Sequence, residues 1–339
     1  MLYYAGLLVY IFFANLITSQ FKSKNKSRVL FFLLTCLGVV LFQGYRSFSV
    51  GTDLASYIFS YLRIGPADFS MLTYLNYEPG YVLLNKLLYR CGLDERGFLI
   101  AITAIIQIPI FYTMYRYTEH PMISILWYFS FGNFIMTFSG LRQSIAMALC
   151  FAGYGLIRKK KIVLYCLLIF VAATFHTSAL FCLILFPIYH IKLDKRGILV
   201  AIGLLAIVFE LRAPIFAYLS KLYYGEARAT SNTGAYTMFA ILVLMLILSF
   251  LSKSEDSDYN GLRGILLLLA MIYSFASMHD YVARIGFPLS LYMTLFVPKL
   301  VDSFNVVPRK AYYRICGALL TASFFYLLGG LDTLPFSFG

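Results

Sequence analysis

The sequence predicts an all-α, polytopic integral membrane protein, and three observations lead to this fold class. Hydrophobic residues make up 61% of the 339 residues and charged residues only 13%, whereas soluble domains average roughly 25% charged. Apolar runs recur along the whole chain, each about twenty residues long and able to cross a bilayer core of about 30 Å. Short basic segments separate these runs, as in proteins whose spans are oriented by their loops. The formal net charge of +13 therefore reflects membrane topology, and we expect no nucleic-acid partner.

The first elements set the orientation of the chain. Residues 1–19 are apolar and uncharged, and the basic segment KSKNKSR follows at residues 22–28. A signal peptide carries its charge before the apolar run, so this order predicts a span with its N-terminus outside. A second span at 29–45 returns outward and ends at Arg46. Residues 46–97 hold no full-length run, which predicts an outer-face helical region with a short interfacial helix at 81–89.

The thirty apolar residues at 162–191 lie between two basic clusters. If both ends are inside, the segment forms a re-entrant-like hairpin with two limbs of about 22 Å each, and His176 lies at its tip. With an outer loop at about 210–235, the predicted topology has twelve membrane segments with both termini outside. It forms one transmembrane domain over residues 1–339. The remaining spans are predicted at residues 98–115, 122–138, 143–157, 197–209, 236–251, 265–278, 285–297 and 311–328.

Several sequence features point away from other kinds of chemistry. The six cysteines are scattered, mostly inside spans, and lack metal-ligand spacing. No nucleotide-binding, zincin or dinucleotide motif occurs, so we expect neither a cofactor nor a metal. Asp256 and Asp258 spell the DxD of metal-dependent sugar transferases, but they fall in a charged inner loop and are interpreted as a solvated turn.

In this topology most polar chemistry gathers at the outer ends of the spans. An ionisable group within a span costs about 2.5–3.5 kcal/mol, so those that persist usually face a cavity or a partner. Guanidinium groups bind phosphate bidentately, and three arginines here predict an anionic, diphosphate-bearing ligand. The outer-face candidates are Arg46, Thr52, Asp53, Tyr57, Glu78, Arg142, Gln143, His176, His279, Asp280 and Arg284.

Each candidate also has a plain structural interpretation. An arginine at a span end often anchors the helix at the interface. Asp53 and Glu78 are placed to cap the helices that begin after them. His176 suits a hydrogen-bonded core position, and His279 with Asp280 suits an exposed loop.

Five motifs occur in the order GYR with VGTD and a following tyrosine, YEPGY, SGLRQSIA, FHTSAL, and YVARIGFPL. From about residue 44 to 290 this order resembles the EpsG family, the Wzy-like polysaccharide polymerases of bacterial capsule, exopolysaccharide and O-antigen assembly. The resemblance implies a multi-pass protein of the bacterial inner membrane that joins repeat units carried on undecaprenyl diphosphate at the outer, periplasmic face. The positions that carry the family motifs are Arg46, Asp53, Glu78, Arg142, Gln143, His176 and Arg284.

On this resemblance we expect a metal-independent glycosyl transfer. Three arginines (Arg46, Arg142, Arg284) would hold the diphosphate leaving group. His176 is the first candidate for general base, with Asp53 or Glu78 as the second. Further substrate contacts are expected from Thr52, Tyr57, Gln143, His279 and Asp280. The expected partners are the lipid-linked donor and acceptor, membrane lipid, a flippase and a chain-length regulator.

Three other functions stay open at this point. A lipid-linked oligosaccharide flippase would also bind a diphosphate, but it should show inverted repeats and polar residues at the midplane. A membrane O-acyltransferase of the polysaccharide would need a donor site on the inner side. A glycan ligase that transfers a finished chain is poorly separated from a polymerase by sequence.

Overall fold

The computed structural model describes residues 1–68, 77–192, 195–224, 233–252, 254, 256–276, 278–304, 309–328 and 334–339. The regular secondary structure of these residues is helical, and an isolated antiparallel bridge joins Arg46 to Phe338. The α-helices are α1 (Leu2–Ser19), α2 (Lys24–Gly44), α3 (Leu54–Ile64), α4 (Pro79–Arg90), α5 (Glu95–Tyr117), α6 (Pro121–Ser130), α7 (Asn133–Ser139), α8 (Leu141–Ala152), α9 (Tyr154–Arg158), α10 (Ile162–Ala173), α11 (Leu185–His190), α12 (Lys195–Tyr224), α13 (Thr233–Leu251), α14 (Ser257–Ala276), α15 (Asp280–Ser290), α16 (Met293–Ser303) and α17 (Arg309–Leu328).

Length and composition make five of the described helices candidate membrane spans: α1, α2, α5, the Val200–Tyr218 part of α12, and α14. Two pairs of helices, α6 with α7 and most of α15 with α16, bend by 53° and 59° and raise the number to seven if each pair is one span. The first bend follows Gly132, which has φ +80°. The all-α, polytopic class is confirmed, whereas the expected twelve segments are not.

Backbone contacts divide the described chain into two compact units. The first comprises Met1–Leu180 with Ala311–Gly339, and the second comprises Phe181–Lys310. In the first unit α2 packs on α1 and α5, and α8 packs on α5 and α10. In the second unit α14 packs on α11, α12, α13, α15 and α16. A single transmembrane domain over residues 1–339 stays a prediction.

The described residues of the region at 46–97 form helices, as expected, while residues 69–76 lie outside the described residues and the outer-face position stays a prediction. α3 buries Leu54, Tyr57, Ile58, Tyr61 and Ile64, a spacing that places all five side chains on one face of the helix. α4 contains the predicted helix at 81–89 and begins with a proline in its first turn. With 12 residues, it is too short to cross a bilayer. These two helices carry side chains of the candidate site.

The segment at 162–191 is broken, as expected, near its middle. α10 ends at Ala173, and after residues 174–176 the chain continues as a 3-10 helix (Thr177–Ile184) and then as α11. His176 lies at this break. The re-entrant path of the segment stays a prediction.

The predicted outer loop at 210–235 differs from the structure. α12 continues through Pro214 to Tyr224, residues 225–232 lie outside the described residues, and α13 begins at Thr233. The span was expected to end at about Phe209, just before Glu210. In the structure the Arg212 guanidinium donates to the Phe209 carbonyl and lies 3.8 Å from the centre of the Phe209 ring, so part of its polar group is accommodated within the helix.

The DxD pair also differs from its interpretation as a solvated turn. Asp258 is 5% exposed and accepts a hydrogen bond from the Tyr189 hydroxyl. Lys299 Nζ lies 3.2 Å from the Asp256 carboxylate and 3.3 Å from that of Asp258. Asp256 Oδ1 accepts from the Asp258 N–H at 3.1 Å, which caps α14. The motif is therefore an ion-pair cluster, exposed at Asp256 and buried at Asp258, that fixes the start of α14.

Candidate functional site

The loop after α2 packs against the turn between α7 and α8. The Thr52 N–H donates a 3.0 Å hydrogen bond to Ser139 Oγ, 87 residues away, and the two hydroxyl oxygens lie 3.2 Å apart. Gly51 has φ +111°, and a Cβ added there would lie 2.5 Å from the Phe138 carbonyl oxygen. Glycine alone combines this conformation with such a close approach. The VGTD and SGLRQ motifs thus form one surface.

Arg46 lies beneath this surface rather than on it. Its side chain is fully buried, with 0% exposure. Its guanidinium donates to three carbonyl oxygens, those of Gln43 at 2.8 Å, Val50 at 3.1 Å and Phe138 at 2.9 Å, and lies 4.8 Å from the centre of the Phe138 ring. Because the backbone takes up these donors, we infer that Arg46 positions the loop and leaves the diphosphate to other groups.

Arg142, in the first turn of α8, joins three segments. It forms an ion pair with Glu78, the N-cap residue of α4, and the two side chains are 24% and 17% exposed. It also shares a hydrogen bond with the Tyr57 hydroxyl of α3. Burial raises the pKa of Tyr57 above its ordinary value although the Arg142 hydrogen bond lowers it. The phenol therefore stays protonated at neutral pH and keeps a proton to donate.

One donor of Arg142 is unsatisfied in the described part of the chain: its Nε is buried and has no hydrogen-bond partner there. The guanidinium lies over the rings of Tyr77 and Tyr81, 5.1 and 5.9 Å from their centres. A buried donor left unpaired costs about 1–3 kcal/mol, and a planar guanidinium matches phosphate oxygens. The arrangement can therefore accept an anion.

His176 is tied to the Glu78 loop through the backbone. The Gly80 N–H donates a 2.8 Å hydrogen bond to the Thr174 carbonyl, and a Cβ on Gly80 would overlap the Thr174 side chain. His176 Nδ1 lies 2.8 Å from Ser178 Oγ and 3.2 Å from the Ser178 backbone nitrogen. Because that N–H can only donate, Nδ1 accepts, and the neutral ring carries its proton on Nε2. His176 is thereby arranged as a donor through Nε2.

Asp53 is the exposed carboxylate of the VGTD loop. It holds the N-cap position of α3, as expected, but its side chain makes no cap hydrogen bond. Its charge contributes to the raised pKa of Tyr57, one turn further along α3. Within the described part of the chain, no residue forms an ion pair or hydrogen bond with this carboxylate. Asp53 therefore has the accessibility that a proton acceptor needs.

A buried polar network supports the loops from below. Gln43 Nε2 donates to Thr137 Oγ1 at 2.7 Å, Gln107 Nε2 donates to Gln43 Oε1 at 2.9 Å, and the Tyr128 hydroxyl donates to Gln107 Oε1 at 2.8 Å. These residues connect α2, α5, α6 and α7. Since each buried polar group here has a partner, the network fixes the relative position of these helices at the base of the loops.

The remaining candidates are less informative about a site. Gln143 is 5% exposed and belongs to the packed part of α8. Arg284 is exposed on α15, and the His279 ring lies 6.0 Å from that of Phe216. Asp280 begins α15. These last three residues belong to the second unit, and their place in a substrate site stays a prediction.

Two aromatic residues and one hydroxyl were missed by sequence reasoning. Tyr77 and Tyr81 flank Glu-Pro-Gly in YEPGY and lie under Arg142, yet tyrosines at a membrane boundary look like interfacial anchors. Ser139 opens the SGLRQ motif and holds Thr52. Their presence inside two motifs was the available signal. Among the described residues, no three His, Cys, Asp or Glu side chains are close enough to hold a metal ion.

Comparison with protein families gives one match, the EpsG family, over residues 29–337. This range covers all five motifs, the whole second unit and most of the first unit. Neither the curated proteins nor the solved structures searched contain a significant match. The predicted family resemblance is thus confirmed, and it extends beyond the motif-bearing residues.

Proposed function

The chain belongs to the EpsG family of Wzy-like polysaccharide polymerases, and on this premise we propose that it joins oligosaccharide repeat units carried on undecaprenyl diphosphate. The family implies a polysaccharide polymerase-type membrane protein with a glycosyltransferase-like role. The proposal adds the lipid diphosphate donor, the acceptor hydroxyl and the residues that serve each. The main support is the Nε of Arg142, which is buried and has no partner among the described residues. It belongs to a guanidinium whose ion pair with the Glu78 carboxylate a diphosphate can replace.

The first step is binding of the diphosphate. Arg142 is paired with Glu78 in the free protein, and an incoming diphosphate offers more oxygens in the geometry that guanidinium prefers. The Nε–H then gains an acceptor, and the Tyr57 hydroxyl and His176 Nε2–H are further donors. These groups stabilise the negative charge that grows on the leaving diphosphate.

The second step is the transfer itself. The acceptor hydroxyl oxygen attacks the anomeric carbon of the donor, the bond from that carbon to the diphosphate oxygen breaks, and the hydroxyl proton passes to a base. We assign the base to Asp53, because His176 Nδ1 already accepts from Ser178, whereas the Asp53 carboxylate is exposed and makes no hydrogen bond or ion pair with any described residue. The donor supplies the energy through its diphosphate leaving group, so the step requires neither a cofactor nor a metal.

Complementation in cells that lack the chain tests this assignment. We expect Arg142→Lys and Asp53→Asn to leave single lipid-linked repeat units and no polymer. Arg142→Lys removes bidentate binding of the diphosphate, and Asp53→Asn removes the base. Arg90→Lys and Asp68→Asn change exposed residues of the same region and should restore wild-type polymer. Polymer of normal length and yield from Arg142→Lys or Asp53→Asn would refute the role of that residue.

The same glycan profile separates the other functions. Repeat units trapped on the inner leaflet would indicate a flippase. Polymer that persists without the chain but lacks acyl groups would indicate an O-acyltransferase. Full-length polymer left on its lipid carrier would indicate a ligase. Under the proposal, a flippase and a chain-length regulator are instead partner proteins of the polymerase.

We also propose that the site faces the periplasmic side of the bacterial inner membrane, in the twelve-segment topology with both termini outside. The distribution of lysine and arginine among the loops supports this orientation. Cys91, at the C-cap of α4, is exposed and belongs to the same outer region. A membrane-impermeant maleimide should therefore label it in spheroplasts, and Cys91→Ser should abolish that label. Labelling that requires permeabilised membranes would reverse the orientation.

A further inference from the structure

A cavity of about 870 Å³ lies between α1, α6 and α17, all in the first unit. This volume is within the roughly 300–1,000 Å³ range of ligand pockets. Its apolar walls come from Phe12 of α1, Leu126 of α6 and Phe325 of α17, and small residues such as Ala318 and Ala322 leave the space open. Nothing in the proposed transfer reaction uses it.

The cavity lining also has a polar, cationic part. Asn15, His120, Tyr313 and Arg314 belong to the lining, and the Tyr313 hydroxyl lies 3.0 Å from His120 Nε2. Arg314 is exposed and forms no hydrogen bond or ion pair with any described residue. No carboxylate belongs to the lining. The positive N-terminal end of the ten-residue helix α6 starts here at Pro121, and it also favours an anion.

The polar and apolar parts are ordered like a phospholipid. Arg314 and Tyr313 lie in the first turns of α17, and Asn15 lies near the end of α1 that precedes the basic segment at 22–28. Phe325 lies three turns further along α17, in its apolar part. A phosphate at the basic end would thus sit at the depth of the headgroups, with acyl chains along the apolar wall. A zwitterionic phospholipid also carries a phosphate, but its ammonium group would lie beside Arg314 without a carboxylate to pair with, so an anionic headgroup fits better.

We propose that this cavity is a specific binding site for an anionic phospholipid, with its phosphate at Arg314 and an acyl chain against Phe12, Leu126 and Phe325. The site is separate from the Arg142 cluster, because His120 and Ser139 lie at opposite ends of the α6–α7 pair. A bound lipid connects α1, α6 and α17 across the membrane leaflet.

The test uses the full-length protein, delipidated in detergent, with native mass spectrometry and tryptophan-fluorescence titration. Dioleoyl phosphatidylglycerol is the probe, and dioleoyl phosphatidylcholine has the same chains with a neutral headgroup. Arg314→Gln removes the cation, and Ala318→Phe fills the cavity. The matched controls are Arg116→Gln and Leu319→Phe, which alter an exposed arginine and a neighbouring lipid-facing residue outside the lining.

We expect one tightly bound phosphatidylglycerol, at least tenfold weaker binding of phosphatidylcholine, and a loss of at least fivefold in affinity in each variant but in neither control. Equal affinity for both lipids, or wild-type binding by Arg314→Gln, would overturn the proposal. Inorganic phosphate that displaces phosphatidylglycerol would contradict a lipid site and assign the cavity to a free anion. Undecaprenyl phosphate that displaces phosphatidylglycerol in an Arg314-dependent way would assign it to the carrier. If Ala318→Phe does not fold, the Arg314→Gln result decides.

Discussion

The Arg46 guanidinium donates a 2.9 Å hydrogen bond to the carbonyl oxygen of Phe138, 92 residues further along the chain. This contact joins the end of α2 to the turn before α8, the two segments that carry Asp53 and Arg142. Arg46→Lys should destabilise the protein, since a single ammonium cannot reach all three carbonyls and an acceptor left unsatisfied costs about 1–3 kcal/mol. Thermal unfolding in detergent measures this loss. An unchanged melting temperature together with a loss of polymer would contradict this role and indicate that Arg46 binds the diphosphate.

Gly51→Ala should impair polymer formation through two separate effects. The left-handed backbone (φ +111°) disfavours a side chain at a cost of about 1–3 kcal/mol, and the Phe138 carbonyl blocks the added Cβ. Gly92→Ala is the matched control, because Gly92 also has a positive φ (+76°) but open space around it. Polymer yield should fall more for Gly51→Ala than for Gly92→Ala. Equal yields would show that close approach to Phe138 is unimportant.

Tyr128→Phe should lower the free energy of unfolding by about 1–3 kcal/mol, because Gln107 Oε1 loses its buried donor. Gln107→Leu should cost more, since it removes the partner of both Gln43 and Tyr128. Tyr112→Phe, an exposed tyrosine of the same α5, provides the control. A Gln107→Leu protein as stable as wild type would mean that the network adds nothing to stability.

Asp256 should make stability depend on acidic pH. Partial burial raises the pKa of Asp256, but the hydrogen bond from the Asp258 backbone and the charge of Lys299 together lower it by more. The net pKa is therefore below the ordinary value. A carboxylate with a lowered folded pKa stabilises the protein above its unfolded pKa, and this contribution is lost as the pH falls through the folded pKa. From pH 5 to pH 3 the melting temperature of wild type should therefore fall more than that of Asp256→Asn. Parallel curves would contradict this.

Membrane class, the helical region at 46–97 and the break near His176 were predictable, because each depends on local hydropathy and length. The meeting of Glu78 with Arg142 depends instead on tertiary packing, since α4 and α8 each pack on α5, which local patterns do not encode. Arg46 illustrates the same limit. A span-end arginine looks alike whether it faces a ligand or three carbonyls, and only the path of residues 47–50 and 138 distinguishes the two.

The extension of α12 past Glu210 was unpredictable for a similar reason. Charges and a proline near the end of an apolar run usually mark a boundary, but here Arg212 donates a hydrogen bond to Phe209 within its own helix, and the helix continues. The burial of Asp258 likewise depends on Tyr189 and Lys299, which lie far from it in sequence. Polar residues whose partners are distant are thus the ones that sequence patterns describe least well.

The first unit is completed by residues 334–339. The Ser47 N–H donates to the Ser337 carbonyl at 2.8 Å, the Gly339 N–H donates to Tyr45 at 3.1 Å, and the Phe336 ring stacks on Phe42 at 4.4 Å. During synthesis on the ribosome, the loop with Asp53 emerges early, but its final edge contacts are translated only after the whole second unit. The candidate site therefore gains its last contacts late in biogenesis, and a nascent chain inserted only as far as α16 lacks these contacts from residues 334–339.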